Sequence, residues 1–159
     1  CSSSLLAQEK VAILDLKYVL NESKAGKGAQ DFLKKSYNDK IKKFKDIEAS
    51  LKKEEEDLLS KKTVITKEEY SKKSDALRKK VIDYKSERRS SMDKISTQRR
   101  ESRDTLIKSI NPILEAYIKE NNISVVINKV NTLGGNPEND ITKVIVEKLN
   151  KVLPSLDLK

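Results

Sequence analysis

Ser60-Lys61-Lys62-Thr63-Val64-Ile65-Thr66-Lys67-Glu68-Glu69 is the stretch whose reading decides the fold, because it interrupts two long helical patterns. Upstream, Tyr37, Phe44, Leu51 and Leu58 recur every seven residues, joined by Leu33, Ile41 and Ile47 at three- and four-residue offsets. That spacing puts one apolar stripe on one helix. The adjacent β-branched residues Val64 and Ile65 break the stripe. Thr66 with Glu69 three residues on then forms a capping box, in which each side chain satisfies the other residue's free backbone N–H. The stretch is therefore a turn, and a second helix starts at Lys67.

The second pattern runs from Lys67 to about Glu120. Tyr70, Leu77 and Tyr84 keep the heptad, and Val81, Ile95, Leu106, Ile110, Ile113, Leu114 and Tyr117 fall on the same side. At 1.5 Å per residue this is roughly 80 Å of helix, against about 50 Å for the first. Two such helices joined by a short turn predict an antiparallel coiled-coil hairpin. Ser91, Gln98, Ser102 and Thr105 occupy places where a tight coiled coil wants Leu or Ile, so arms that bend and splay are expected. Pro112 removes one helical hydrogen bond and predicts a kink or break near Ser109-Ile110-Asn111.

Outward from the hairpin, Val11-Ala12-Ile13-Leu14-Asp15-Leu16 is an apolar run without alternation and reads as a strand buried on both faces. Asn21-Glu22-Ser23 and Ala25-Gly26-Lys27-Gly28 lead from it into the first helix. On the far side, Asn121-Asn122 close the second helix, and Ile123-Ser124-Val125-Val126-Ile127-Asn128 reads as a second strand. Leu133-Gly134-Gly135-Asn136-Pro137 is a loop. Asp140-Ile141-Thr142 caps a last helix from Lys143 to about Val152, with Val144, Ile145, Leu149 and Val152 on its buried side. The expected class is α+β, mostly α: a small trimerising body of β-strands (10–23 and 111–159) with a long antiparallel helical hairpin arm (24–110) and a flexible, export-related segment (1–9).

Composition agrees with a thin core. Of 159 residues, 36% are apolar and 37% charged, with no Trp and two Phe, which favours long helices supported by partners over a compact globule. No run approaches the roughly 18–20 apolar residues that span a bilayer as a helix. The single cysteine, Cys1, allows no internal disulfide or Cys-based metal site, and the lack of His removes the usual zinc and copper sites. Cys1-Ser2-Ser3-Ser4-Leu5-Leu6-Ala7-Gln8 permits two readings, both about export. Cys1 is the candidate lipidation position of a bacterial lipoprotein, or Leu5-Leu6-Ala7 ends a secretory signal and the mature chain starts at Gln8.

Between Lys24 and Glu120 there are 27 Lys and Arg against 18 Asp and Glu, and outside that window 7 against 7, so the formal charge of +9 belongs to the hairpin. A solvated coiled-coil exterior explains most of these residues singly. The excess of one sign points further, to acidic partners: a protein client, anionic lipid or nucleic acid. The candidate client-binding residues lie in the distal half: Lys61, Lys62, Lys72, Lys73, Arg78, Lys79, Lys80, Arg88 and Arg89. Because Asp and Glu interleave with them, and most aromatics fit the seam, no specific nucleic-acid site is expected.

Catalytic chemistry is not visible. No glycine-rich stretch ends in Gly-Lys-Ser/Thr, so no P-loop cradles a phosphate. Without His the commonest general base is missing. Asp15 reads as a strand-end acceptor, Asp140 as a helix cap, and Ala25-Gly26-Lys27 as a structural turn ahead of an anion site. The expectation is a protein without catalytic residues, metal or cofactor, and not an enzyme.

The order of elements resembles the Skp/OmpH family of periplasmic chaperones from about Lys10 to Asn150. Ala25-Gly26-Lys27 at the first helix and Asp140-Ile141-Thr142 before the last carry the resemblance, with Pro112-Ile113-Leu114, the two strands and Leu149-Asn150 in the same sequence. It implies a homotrimer whose strands join in a central body, with three arms around a cavity that holds unfolded outer-membrane proteins without ATP. Two strands leave edges and apolar faces that one chain cannot cover, so Val11, Ile13, Val125 and Ile127 are the candidate oligomerisation core. An anionic membrane surface is a further candidate partner. A lipidated Cys1 would anchor the protein, unlike the soluble members of that family. Two rival readings remain, a structural coiled-coil envelope protein and a basic nucleic-acid or lipid binder.

Overall fold

The structure is a computed structural model and describes residues 9–159, so the expectations for Cys1 and the residues up to Gln8 fall outside the described residues. In chain order the elements are β1 (Lys10–Leu14), α1 (Leu16–Glu22), α2 (Lys24–Ser60), α3 (Lys67–Glu120), β2 (Ile123–Asn128) and α4 (Thr142–Val152). Two single 3-10 turns, Lys129–Asn131 and Pro137–Asn139, separate β2 from α4. The described chain divides into two compact units, one of residues 9–32 with 99–159 and one of residues 33–98. Both α2 and α3 contribute to each.

In the first unit, β1 and β2 pair in parallel, with Val11 opposite Val125, Ala12 opposite Val126 and Ile13 opposite Ile127. Ala12 and Leu14 point into a core with Val19, Leu106, Ile110, Ile145 and Leu149, all buried. The other face of the sheet is open: Val11 is 37% exposed and Val125 46%. The expectation of a first strand buried on both faces is therefore corrected, since the helices of one chain supply a single covering layer.

The apolar run also ends earlier than its composition indicates. Asp15 stops β1 and caps α1, its carboxylate accepting the Tyr18 N–H at 2.9 Å while its own N–H donates to Thr142 Oγ1 at 2.9 Å. Leu16 thus opens a helix instead of closing a strand. Ser23 ends α1 with its N–H on the Val19 carbonyl (3.2 Å), and its Oγ accepts the Gly26 N–H (3.2 Å) inside α2. The Lys24 N–H donates to Asn150 Oδ1 at 2.8 Å, which fastens the start of α2 to α4. Ala25-Gly26-Lys27 is accordingly the first turn of α2 and not a separate turn. A Cβ on Gly26 would lie 1.9 Å from the Leu20 carbonyl oxygen, so the two helices meet there only because no side chain intervenes.

α3 runs unbroken through Pro112, so of the kink or break expected there the break does not occur. Asn111 and Pro112 are exposed while Ile110 is buried and Ile113 and Leu114 pack on the core. The carbonyl that loses its partner belongs to Lys108, an exposed residue, and packing on either side of the proline holds the helix. The last helix starts one residue earlier than expected. Asp140 Oδ1 accepts the Thr142 N–H at 2.9 Å, and the Ile141 N–H reaches back to the Ile13 carbonyl at 2.9 Å.

In the second unit α2 and α3 run antiparallel. Phe44 meets Tyr84 edge-on with ring centroids 6.0 Å apart, Lys43 Nζ pairs with Glu87 at 2.6 Å, and Lys80 Nζ pairs with Glu54 at 2.9 Å. The Thr66–Glu69 capping box forms in both directions, at 3.2 and 3.4 Å.

Gly26→Ala should lower the urea midpoint by an amount worth about 2 kcal/mol or more, because backbone must move to admit the methyl group. Gly28→Ala, with nothing within 4 Å of the added carbon, should instead leave the midpoint unchanged or raise it by up to about 1 kcal/mol.

Candidate functional site

The hairpin unit offers an apolar seam that is only partly closed. Leu33, Phe44 and Ile95 are its buried hydrophobic residues among those described, whereas Leu51, Leu58, Leu77 and Val81 stay half-exposed. A groove of about 660 Å³ opens along these four, with Tyr70 and Tyr84 in its wall. Its lining carries both signs of charge, Glu48, Lys52 and Glu55 on one helix and Arg78 and Lys85 on the other. Such a groove can take apolar side chains of an extended or irregular peptide without enclosing them. Sequence periodicity assigned these residues to the seam. The incomplete burial that makes them a surface appears only in three dimensions.

All nine basic residues singled out from sequence are exposed. Lys61 and Lys62 lie in the turn, with Lys62 Nζ 6.0 Å from the centre of the Tyr70 ring. Arg78 is paired with Asp75 at 3.2 Å and Lys80 with Glu54 at 2.9 Å. Lys72, Lys73, Lys79, Arg88 and Arg89 make no ion pair among the described residues. The nine lie in the turn and the first half of α3. Glu87 shows how the acidic partners are used: the hydrogen bond and charge of Lys43 hold its carboxyl below the usual range.

In the strand-bearing unit, Val11, Ile13, Val125 and Ile127 come together on the open sheet face as two register pairs. A second cavity, of about 580 Å³, lies beside it, lined by Ile13, Asp15, Tyr18, Gly135, Asp140 and Lys143 among others. Both acids there serve as structural acceptors. Burial pushes the Asp140 carboxyl up, but hydrogen bonds from Thr142 and Lys129 and the Lys129 charge outweigh it, so its pKa lies below the ordinary value. A carboxylate held ionised in this way suits a cap and not a proton-transferring base. Among the described residues no group of acids is placed to hold a metal ion, and no helix is long and apolar enough to cross a membrane.

A model of the family described as Outer membrane protein (OmpH-like) matches residues 10–149. The crystal structure of a protein from Caulobacter crescentus CB15, provisionally described as an OmpH-like outer membrane chaperone, superposes with a TM-score of 0.86. The alignment covers 96% of this chain and 90% of that one at 18% identity, a likeness of fold. No curated protein matches the sequence.

Because the folded-state pKa of Asp140 is depressed, its stabilising contribution is complete above the unfolded Asp value of about 3.9 and is lost as pH falls through the folded one. Asp140→Asn keeps an oxygen to accept the Thr142 N–H but loses the charge that meets Lys129, so it should be less stable than the native chain at neutral pH by up to about 1 kcal/mol. The gap should close on acidification below that range, as read from thermal unfolding across pH.

Proposed function

We propose, because the chain belongs to the OmpH-like outer membrane protein family, that it is an ATP-independent holdase chaperone of the bacterial envelope. It binds unfolded outer-membrane proteins in the periplasm and keeps them from aggregating. The observation that supports this best is the half-open seam of the hairpin, where Leu51, Leu58, Leu77 and Val81 offer apolar surface without a sealed core. Contacts of this kind are individually weak and exchange readily, and several hairpins acting on one client would sum them into useful affinity. Release then needs a better site and no fuel.

The working unit in this proposal is a homotrimer joined through the strands. An open sheet face carrying Val11, Ile13, Val125 and Ile127 would be an aggregation hazard unless covered, and copies of the same unit would cover it. The domain roles follow the same division, with oligomerisation in 10–23 and 111–159 and client capture along 24–110. The exposed basic residues of the hairpin steer acidic segments of clients, and the same charge fits an anionic membrane surface. A lipid on Cys1 would tether the protein at that surface without altering capture.

The test dilutes a urea-unfolded β-barrel protein into buffer with increasing amounts of this chain, without nucleotide, and follows light scattering. Scattering should fall and saturate near three protomers per client; unchanged scattering from a well-folded sample would bring forward the structural-spacer reading. In parallel, Val125→Asp with Ile127→Asp should shift the native mass from a trimer toward the 18.1 kDa of one chain. Leu77→Ser should leave that mass alone while raising the protein needed for half-suppression about threefold or more, as expected for the loss of one buried apolar contact.

A further inference from the structure

The segment that follows α4 lies outside the family match, which ends at residue 149. The last bond of the helix runs from the Leu153 N–H to the Leu149 carbonyl at 2.8 Å, and Pro154, with no N–H of its own, ends it there. Burial then follows the sequence residue by residue. Leu153, Leu156 and Leu158 are half-buried, while Pro154, Ser155, Asp157 and Lys159 are exposed. Leu153 and Leu156 pack against the core cluster of the strand-bearing unit.

Residues 154–158 are held through their side chains. Among the described residues, their one backbone–backbone hydrogen bond is local, from the Leu158 N–H to the Leu156 carbonyl at 3.2 Å. No ladder fixes the register of this segment on the unit, so another chain of like pattern can take its seat without matching any intervening residue. The pattern itself is specific in one respect. Leu156-Asp157-Leu158-Lys159 turns leucine inward and charge outward at alternate positions. Strands of membrane β-barrels alternate in the same way, between a lipid-facing and a lumen-facing side chain.

We infer that residues 153–159 are an internal client mimic: they occupy a second client-binding surface, on the strand-bearing unit, and an extended client segment with apolar side chains at alternate positions displaces them. The inference rests on the client class in the proposed function and adds to it a site and its regulation. A segment tethered beside its seat meets it at an effective concentration on the order of millimolar, so a single weak client stretch is refused, whereas a long unfolded barrel presents many such stretches. The affinity seen by an incoming segment is lowered by the fraction of molecules in which the seat is free. Each half-buried leucine corresponds to roughly fivefold in seating. The empty chaperone thereby keeps this apolar surface covered, which limits self-association.

The experiment uses the full chain and a fluorescein-labelled peptide of two Leu-Asp-Leu-Lys repeats, titrated by anisotropy. Leu156→Ser with Leu158→Ser should bind the peptide about tenfold more tightly than the parent. Val152→Ser, at a site on α4 that is 68% exposed, should bind it as the parent does. The chain contains no Trp, so Leu156→Trp reports on the seat alone, and its emission should shift to the red as the peptide saturates. Circular dichroism of each variant should match the parent. Equal affinity of the parent and the double variant, or Leu156→Trp emission that stays fixed while anisotropy shows the peptide bound, would overturn the inference. So would a lower thermal midpoint of the double variant without a gain in affinity, which would leave the segment as a piece of the core. The holdase reading fails separately, through the light scattering of the parent chain with the unfolded β-barrel protein.

Discussion

Five residues of β1 lie beside β2 in parallel, and this pairing dictates the rest of the chain. Parallel neighbours cannot be joined by a tight turn. The connection must leave one end of the first strand and return to the start of the second. Here the crossover holds α1, α2 and α3, and therefore the whole hairpin. The return is fixed by small contacts at its two ends. Asp15 turns the strand into α1, Ser23 and Gly26 turn α1 into α2, and Asn122, with φ of 51°, releases α3 into β2. Asn tolerates that left-handed conformation better than most residues. Such a topology builds its two-stranded sheet from strands separated in sequence by the whole hairpin, a demanding arrangement for folding because loop closure precedes any gain from pairing.

The two units are stabilised differently. The strand-bearing unit has a continuous buried cluster, with Val19, Ile145 and Leu149 fully withdrawn from water. The hairpin unit relies on a few side chains reaching between its helices. Its ion pairs are at least 40% exposed on both partners, so each adds little at ordinary ionic strength. Phe44 against Tyr84 is its one aromatic contact among the described residues. A hairpin held this way keeps its helices through length and local capping more than through a core, and it leaves apolar surface accessible. For a chaperone that is a useful combination, since the apolar surface left accessible is the same one that weakly closes the hairpin.

Where sequence reading succeeded, a local rule and a tertiary need agreed. Lys67–Glu120 was legible because a capping box coincides with the restart of an apolar heptad, and Ile123–Asn128 because β-branched residues follow a pair of Asn. α1 was not legible. The run from Val11 to Leu16 is apolar throughout, and no change of period marks the point where Asp15 ends the strand. At Pro112, where a kink or break was expected, the helix continues because packing at Ile110 and Leu114 holds it on either side. On the candidate site, composition identified the basic residues as exposed. It could not show which of them are spent on Asp75 or Glu54, nor that the seam stays open at Leu51 and Leu77. Ion pairing between helices and fractional burial depend on axial register and spacing, which no single helix encodes.

The antiparallel seam also makes hairpin length a separable quantity. Seven residues added to α2 above Phe44, matched by seven added to α3 before Tyr84, would return every apolar position to the same face with only a slight rotation. The capping turn, the aromatic contact and the parallel sheet would each keep their residues. A single inserted residue in one helix would rotate its stripe by roughly 100° and put charge into the seam. Hairpin length can therefore change only in paired, quantised steps, and it can do so while the turn and the sheet each keep their own contacts.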